Sequence, residues 1–365
     1  MKNRFIVIVL VLMGNLGFLQ NSLGQDPLFS QYFSAPLYYN PALTGIGTGL
    51  RVRFNYRDQW PALPTDYQAY FFSADLGDRN LPGSGGLGLM VNADNEGIGF
   101  MHNLEVALNL SVRIPITKSL VSQVGIKASV KQKTVNWDDF VFTDELSEKY
   151  GDIYQSEFIP PDANKRVFPD FAAGGVLQYA NEESNVSGIA GFSVNHIFQP
   201  DESFLTTGSA PLPRKWVGHL DLVITAGGES SSGLHGGGSG DPLKINPGIM
   251  FISQSKLNAL QAGLTLLKYN IYLGGWYKGT LSGNASSAVV VLAGYRYMFS
   301  EGTGIKFMYS YDIPVAGAMM GTGGAHEISL VLEFDKLSIF GGRGGYGPAG
   351  RSKSGYSSID CPVFY

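Results

Sequence analysis

Cysteine, charge and long apolar runs are all scarce in this sequence, and each scarcity excludes a class of protein. The single cysteine, Cys361, cannot form an internal disulfide, which excludes a disulfide-stapled scaffold. Charged residues make up 15% of the chain, against about 25% in ordinary globular domains. After the N-terminal segment no stretch approaches the roughly 18 apolar residues of a membrane helix. The mean hydropathy of +0.03 is likewise too low for a bundle of membrane helices.

Chemistry-bearing patterns are scarce as well. The segment 83–88, GSGGLG, resembles a dinucleotide-binding loop, but no helical pattern follows it. We find neither a nucleophile elbow nor a Ser/His/Asp arrangement. The histidines have no metal-ligand spacing; they stand at His102, His196, His219, His235 and His326. The sequence therefore predicts no catalytic residue, no cofactor and no metal site, and a protein that is not an enzyme.

One stretch, 135–166, is long and rich in acids. Its acidic residues are Asp138, Asp139, Asp144, Glu145, Glu148 and Asp152. Carboxylates could bind calcium, but these lack the spacing of an EF-hand loop. We interpret the stretch as a solvated external loop.

The first 24 residues read as a secretory signal peptide. Lys2 and Arg4 precede an apolar run from Phe5 to Met13, and small residues precede Gln25. Cleavage before Gln25 leaves 24 basic against 30 acidic residues, a net charge of −6. That balance argues against nucleic acid as a partner.

Apolar and polar residues alternate over long runs, which is the pattern of membrane-crossing β-strands. In one run Leu104, Val106 and Leu108 alternate with Glu105, Ala107 and Asn109. Runs of about 9–11 residues match a tilted strand that crosses a bilayer. The sequence predicts an all-β, transmembrane outer-membrane β-barrel over 49–334, with about fourteen antiparallel strands near 49–57, 66–75, 85–92, 103–114, 120–134, 167–179, 186–198, 215–226, 244–253, 257–267, 270–278, 287–298, 304–312 and 325–334.

An even strand count returns both ends of the barrel to the periplasmic side. Connections at that side are then short, as 115–119 and 180–185 are. The glycine-rich connection 227–243 is an exception. It is either a flexible inserted turn or a sign that the count is off by one near there.

Aromatic residues near the strand ends predict girdles at the membrane surfaces. Examples are Tyr56, Trp60, Tyr70 to Phe72, Trp216, Trp276, Tyr277, Tyr295 and Tyr297. On the opposite, polar phase lies a basic face that we expect to line the lumen, because charges facing lipid cost about 2–4 kcal/mol each. It comprises Arg51, Arg53, Arg57, Arg113, Lys127 and Lys131. It is either a pore lining balanced by inward acids such as Glu105 and Asp221, or a docking surface for a plug or an acidic peptide.

Two segments fall outside the predicted strands. Residues 25–48 are too rich in aromatics and prolines for a linker and too broken for a strand, so we expect them to pack in the lumen or beneath it. Phe334 ends the last strand, which leaves 335–365 as a tail that no barrel strand needs. Both segments are expected on or near the periplasmic side, where their aromatic or ordered ends could contact partners.

The flanking segments resemble the PorP/SprF family. The residues that carry the resemblance are Gln25, Asp26, Pro27, Phe29, Ser30, Gln31, Tyr32, Tyr39, Asn40, Pro41, Ala42, Arg57, Gln59, Trp60, Pro64, Thr65, Tyr311, Asp312, His326, Glu327 and Ile328. The resemblance implies an outer-membrane component of type IX secretion and, in some members, of gliding motility. It also implies two partners, periplasmic secretion-machinery lipoproteins and the C-terminal domain of a secreted surface protein. The alternative function is a diffusion channel for small or hydrophobic solutes.

Overall fold

The alternating runs form long strands, as their period predicts. In the computed structural model the strands are β1 (Gly49–Gln59), β2 (Tyr67–Gly77), β3 (Gly86–Glu96), β4 (Met101–Pro115), β5 (Leu120–Val135), β6 (Leu146–Ser147), β7 (Gly151–Asp152), β8 (Lys165–Ala180), β9 (Val186–Asn195), β10 (Lys215–Ala226), β11 (Leu243–Gln254), β12 (Leu257–Lys268), β13 (Ile271–Thr280), β14 (Ser287–Ser300), β15 (Thr303–Ala316) and β16 (Ala325–Phe334). The two short strands β6 and β7 pair only with each other, in the loop after β5.

The structure describes residues 26–78, 83, 85–97, 101–147, 151–152, 156–157, 159–160, 164–181, 184–204, 208–226, 242–281, 287–316, 320–335 and 337. The predicted signal peptide 1–24, Gln25, and the tail beyond 337, with Cys361, lie outside these ranges. No helix in the described part of the chain is long and apolar enough to cross a membrane.

Fourteen of the described strands form one closed barrel, which confirms the predicted fold. Each strand pairs antiparallel with its neighbour in sequence, and β1 closes the barrel against β16. Closure removes the unpaired strand edges that would otherwise leave backbone groups unsatisfied.

We call the end where β1 begins and β16 ends the terminal mouth, and the opposite end the far mouth. In bacterial barrels the terminal mouth faces the periplasm.

The connection 227–243 does not disturb the strand count. β10 and β11 pair directly in register, from Lys215 opposite Gln254 to Ala226 opposite Leu243. The alternative that the predicted strand count is off by one near 227–243 is therefore wrong. Residues 227–241 themselves lie outside the described residues.

The two faces of the wall divide as the alternation predicts. Leu108 and Ile126 face outward and are 50% and 60% exposed. Their neighbours Asn109 and Lys127 face the lumen and are buried. Strand boundaries differ from the predicted ones by a few residues. β9, for example, ends at Asn195 rather than 198, because His196 and Gln199 adopt positive φ angles that a strand cannot continue through.

Two predicted girdle residues point the wrong way. Trp216 and Tyr277 face outward as expected, but Phe71 and Trp276 are buried on the lumen side. Inside a barrel an aromatic ring needs another apolar surface to pack against. The N-terminal segment provides that surface.

The N-terminal segment 26–48 runs inside the barrel as three short turns. Tyr32–Ser34 and Pro41–Leu43 are 3-10 turns, and Pro36–Tyr39 is one turn of α-helix. Proline suits the first position of a helical turn, where its missing N–H costs nothing. Asn40 caps the third turn, since its side chain accepts a hydrogen bond from the Ala42 amide at 2.9 Å.

The segment traverses the lumen from one mouth to the other. Asp26 contacts Lys215, the first residue of β10, and Gln254, the last residue of β11, both at the far mouth. Gly45 contacts Asp75 near the terminal mouth. An even strand count fixes where the strands end, but it does not constrain a segment that folds back through the lumen.

Candidate functional site

The lumen of a fourteen-strand barrel is wider than its own side chains can fill. Eight strands leave an interior that side chains just fill, and 16–18 leave an aqueous channel. Here residues 26–48 occupy that space. Phe29 packs edge-on against Phe71 of β2, with ring centroids 6.1 Å apart, and Tyr32 against Trp276 of β13 at 5.5 Å. These wall aromatics face inward because the segment gives them a partner.

Glu327 of β16 binds the segment through its backbone. Its two carboxylate oxygens accept hydrogen bonds from the amides of Ser30 at 2.7 Å and Gln31 at 2.9 Å. Asn55 of β1 donates a further hydrogen bond at 3.0 Å. A carboxylate that accepts backbone amides forms charge-assisted hydrogen bonds, stronger than neutral ones. Glu327 therefore fixes the position of the segment independently of its side chains.

Arg57 of β1 joins this carboxylate to a second one. Its guanidinium lies 3.0 Å from Glu327 Oε2 and 2.7 Å from Asp312 Oδ2. It also donates to Ser30 Oγ at 2.9 Å, and that hydroxyl donates to Asp312 at 2.7 Å. Lys278 of β13 donates to the Leu28 carbonyl at 2.7 Å. Buried charges are tolerated only when paired and hydrogen-bonded, and here the segment supplies part of that pairing.

Further signature residues follow the same pattern. Gln31 donates to Ser310 at 3.0 Å and accepts from Ser329 at 2.7 Å. The hydroxyl of Tyr32 donates to Asp221 of β10. Tyr39 donates to the Phe29 carbonyl at 3.2 Å and accepts from the Phe29 amide at 2.8 Å, which fastens one part of the segment to another.

Two wall glycines allow the third turn of the segment to approach the strands. A Cβ atom added to Gly125 of β5 would lie 2.5 Å from the Ala42 nitrogen and as close to the Pro41 carbonyl carbon. A Cβ on Gly174 of β8 would meet the side chain of Asn40. Asn40 in turn donates to the Gly175 carbonyl at 3.3 Å. The backbone of the segment thus lies directly against the wall.

The segment is also fastened at both mouths. Near the terminal mouth the Thr44 carbonyl accepts hydrogen bonds from Ser111 and Gln123, each at 2.7 Å. At the far mouth Asp26 lies 2.7 Å from Lys215 and 2.8 Å from His196. The neighbouring Pro27 carbonyl accepts from Tyr38 at 3.0 Å.

The predicted basic face lines the lumen, and five of its six members are paired with acids. Arg51 pairs with Asp335 at 2.8 Å, Arg53 with Asp75, and Lys127 with Glu105 at 3.0 Å.

Lys131 lies between Asp26, Glu105 and Asp170 at 3.6–3.9 Å. Arg113 is buried on the same inward phase. The basic face has features of both interpretations offered above. Inward acids balance its charge, as in a pore lining, and Arg57 and Lys131 also contact the N-terminal segment, as in a docking surface for a plug.

Three of the residues that carry the family resemblance, Gln59, Trp60 and His326, lie at the far mouth, and no described contact joins them to the N-terminal segment. Gln59 accepts hydrogen bonds from Arg57 at 3.1 and 3.3 Å. Trp60 turns the chain out of β1 with a φ of 67°, and its amide donates to the Gly324 carbonyl at 2.8 Å. His326 forms a hydrogen bond with Tyr309 at 2.7 Å and stacks near Tyr311.

Sequence reasoning did not single out Asp75, Lys215 or Lys278 as part of this site. All three occupy the inward phase of strands that the alternation located. A charged residue on that phase was the available signal. The inward position of these three residues did not reveal what they contact. Each contacts the N-terminal segment 26–48, and the strand pattern does not determine the path of that segment.

The far mouth carries two longer loops. In the first, Trp137 packs against Phe140 at 5.7 Å and against Phe204 of the second at 6.2 Å. Hydrogen bonds from the Glu157 amide and the Ser156 hydroxyl hold the pKa of Asp144 below its usual value. Within the described residues no group of three or more histidine, cysteine or acidic residues is arranged to hold a metal ion.

Comparison with known families identifies the chain. The model of the type IX secretion system membrane protein PorP/SprF matches residues 21–332. The chain belongs to the PorP/SprF family. It is therefore an outer-membrane β-barrel with a secretion-related role, and neither the PorP/SprF family nor the barrel fold is of an enzymatic type.

No curated protein sequence matches this PorP/SprF chain. Among solved structures, CdiB from Acinetobacter baumannii is 8% identical with a TM-score of 0.42, and the match covers 79% of this chain and 60% of CdiB. A Pseudomonas aeruginosa FadL homologue is 12% identical with a TM-score of 0.40, covering 81% and 92%. The toluene transporter TbuX of Ralstonia pickettii is 12% identical with a TM-score of 0.41, covering 82% and 92%.

Proposed function

We propose that this protein is a plugged, non-enzymatic outer-membrane component of the type IX secretion apparatus, which holds a secreted surface protein or helps to export it. The observation that carries the proposal is the occupation of the lumen by residues 26–48. Glu327, Arg57 and Asp312 bind this segment at buried positions, through hydrogen bonds of 2.7–2.9 Å to Ser30 and Gln31. A lumen closed in this way suits a scaffold better than a pore.

The signature residues act within the molecule in this proposal, not at a partner. Phe29, Tyr32 and Tyr39 are buried in the lumen, so they cannot reach another protein while the segment is in place. Partner contacts then fall to the loops at the far mouth and to the tail. Val141, Leu146 and Ile159 in the first far loop expose more than half of their surface. Exposed apolar groups of this kind suit a protein interface.

We assign the two partners to opposite mouths. The C-terminal domain of the secreted surface protein contacts the loops at the far mouth, which faces outward when both strand ends face the periplasm. The periplasmic secretion-machinery lipoproteins contact the tail 335–365, which leaves the barrel at the terminal mouth after Phe334. Outer-membrane lipid surrounds the apolar outer face.

Affinity purification from native membranes, followed by mass spectrometry, tests this proposal. We expect a large secreted surface protein and periplasmic lipoproteins of the secretion apparatus to co-purify with the tagged barrel. A variant that replaces Val141, Leu146 and Ile159 with serine should lose the surface protein and keep the lipoproteins. Purification of a barrel without either partner would contradict the proposal.

The alternative is a diffusion channel for small or hydrophobic solutes. It is favoured by a cavity of about 580 Å³ at the far mouth, part of it open solvent, with Tyr38, Phe168 and Leu212 among its lining residues. Uptake of a radiolabelled aromatic solute by cells with and without the protein separates the two. A channel accelerates uptake, whereas a plugged scaffold leaves the rate unchanged.

A further inference from the structure

The cavity at the far mouth has one strongly acidic wall. Asn92, Asp94 and Glu96 alternate along β3, so their side chains share its inward face. Across the ladder Asn103 of β4 lies opposite Asp94. Its amide donates to Asp94 Oδ2 at 2.7 Å and to Glu96 Oε1 at 3.4 Å. These two contacts hold the carboxylates side by side.

Neither carboxylate forms an ion pair with a cation in the described part of the chain. The two lysines that line the cavity are engaged elsewhere. Lys133 lies 3.1 Å from Glu202, and Lys131 is shared between Asp26, Glu105 and Asp170. Asp94 is only 3% exposed. A buried carboxylate without a cationic partner is costly, so this wall favours a positively charged ligand.

A third acceptor on the same wall also lacks a donor. The side-chain oxygen of Asn92 has no hydrogen-bond partner among the residues that the structure describes, although Asn92 is only 5% exposed. An unsatisfied buried acceptor destabilises the folded protein unless a ligand or water supplies the missing donor. Asn92 Oδ1, the Asp94 carboxylate and the Glu96 carboxylate together offer acceptors and no donors toward the cavity. We call these three residues the acceptor wall.

We propose that the acceptor wall binds the ε-ammonium group of a lysine side chain that belongs to a peptide presented at the far mouth. An ammonium has three donors and no acceptor, so it can donate to both the Asp94 and the Glu96 carboxylate, which the Asn103 amide holds side by side. The lining of the cavity also includes Tyr38, Phe168 and Leu212, an apolar surface for the methylene stem of a lysine. The proposal rests on the proposed function, because the peptide belongs to the held surface protein.

Calcium is a weaker fit to the same oxygens. It takes six to eight oxygen ligands, and the acceptor wall supplies two carboxylates and one amide oxygen. The cavity lining also includes apolar residues, which a calcium ion does not use. Lysine uses both the oxygens and the apolar surface.

Isothermal titration of the purified full-length barrel in detergent tests this inference. The probe is a capped pentapeptide with one lysine between glycines, and its control is the same peptide with an acetylated lysine. We expect the lysine peptide to bind and the acetylated peptide not to bind. The double variant D94N/E96Q should weaken binding at least about tenfold, since the charge-assisted hydrogen bonds from the ammonium to both carboxylates are lost. N92A should weaken it less.

A matched variant and a calcium titration complete the design. D144N removes an acid from the exposed far loop and should leave the affinity unchanged, and a heat-shift gel checks that each variant is folded. Three results would each overturn the inference: equal binding of both peptides, equal affinity of D94N/E96Q and wild type, or calcium that binds the wall and displaces the lysine peptide. Failure to co-purify with the secretion apparatus would instead count against the proposed function, because this titration needs no partner protein.

Discussion

Arg57 lies directly opposite Glu327 in the ladder between β1 and β16, and their side chains form an ion pair at 3.0 Å. These are the two strands that close the barrel. The same Glu327 carboxylate accepts the backbone amides of Ser30 and Gln31. One pair of residues thus takes part both in the seam of the barrel and in the binding of the segment that fills it. Because Glu327 contributes to both, closure of the barrel and insertion of the segment into its lumen stabilise each other.

Replacing Glu327 should loosen the segment without dissolving the barrel. In E327Q the amide group can no longer accept both backbone hydrogen bonds as a carboxylate. Losing one charge-assisted hydrogen bond costs about 1.5–3 kcal/mol, so an open state should become roughly 10- to 150-fold more populated. Single-channel recording in planar bilayers should show brief openings that the wild type lacks.

The control is E333Q on the same strand. Glu333 also faces the lumen, but it pairs with Arg296 at 2.5 Å, and no contact of its carboxylate with the segment is described. This variant should remain as closed as the wild type. Equal opening by both variants would mean that any lost charge opens the pore, and the role of Glu327 in holding the segment would be wrong.

Removing the cation should destabilise the barrel itself. R57M leaves Asp312 and Glu327 buried without their guanidinium partner, and breaking a buried pair costs about 3–5 kcal/mol. The temperature at which the folded form disappears in a heat-shift gel should fall clearly. R166M removes an exposed pair with Asp201, whose atoms are 3.9 Å apart, and should change it little, because such pairs contribute about 0–1 kcal/mol. A similar fall in both variants would contradict the account.

Most of the wall of the barrel was predictable from the sequence, and the reason is lipid. A face that contacts hydrocarbon must be apolar, so the alternation marks every strand, including the closing pair β1 and β16. The inward phase has no such constraint. Phe71 and Trp276 face inward because the segment packs on them, and a period-two pattern gives no information about that contact.

The path of the N-terminal segment was not predictable for a related reason. Its prolines and aromatics indicate that it packs, but its partners on the wall lie from about 30 residues away along the chain, as for Gly45 and Asp75, to about 300, as for Ser30 and Glu327. Local sequence signals do not encode such pairings. The family resemblance identified the residues of both halves, Ser30 and Gln31 with Arg57 and Glu327, without showing that they meet.

A single added methyl group should displace the third turn of the segment. In G125A the new Cβ would lie about 2.5 Å from the Ala42 nitrogen, closer than such atoms can approach, and overpacking of this kind costs about 1–3 kcal/mol. Limited proteolysis should then cleave within residues 26–48 faster than in the wild type. G218A is the matched control and should be cleaved like the wild type, because a Cβ at that position meets no described atom within 4 Å. Unchanged proteolysis of G125A would show that the segment does not lie against β5.

Deleting residues 336–365 should separate assembly from partner binding. The last strand ends at Phe334, and the ion pair of Asp335 with Arg51 is retained in the truncated chain. We expect a barrel that assembles and remains heat-modifiable, with weaker co-purification of periplasmic lipoproteins. Normal co-purification would refute the role of the tail in binding. Loss of the barrel would show that the tail serves assembly instead.

The central claim is that the protein closes its own lumen, and the conductance of the wild-type barrel tests it most directly. Purified full-length protein is inserted into planar bilayers and current is recorded at a series of voltages. We expect membranes that remain near their baseline current, with conductance appearing when Arg51, Arg53 and Arg57 are together replaced by glutamine. A steady, ohmic current through the wild-type protein, of the size expected for an open fourteen-strand barrel, would contradict it.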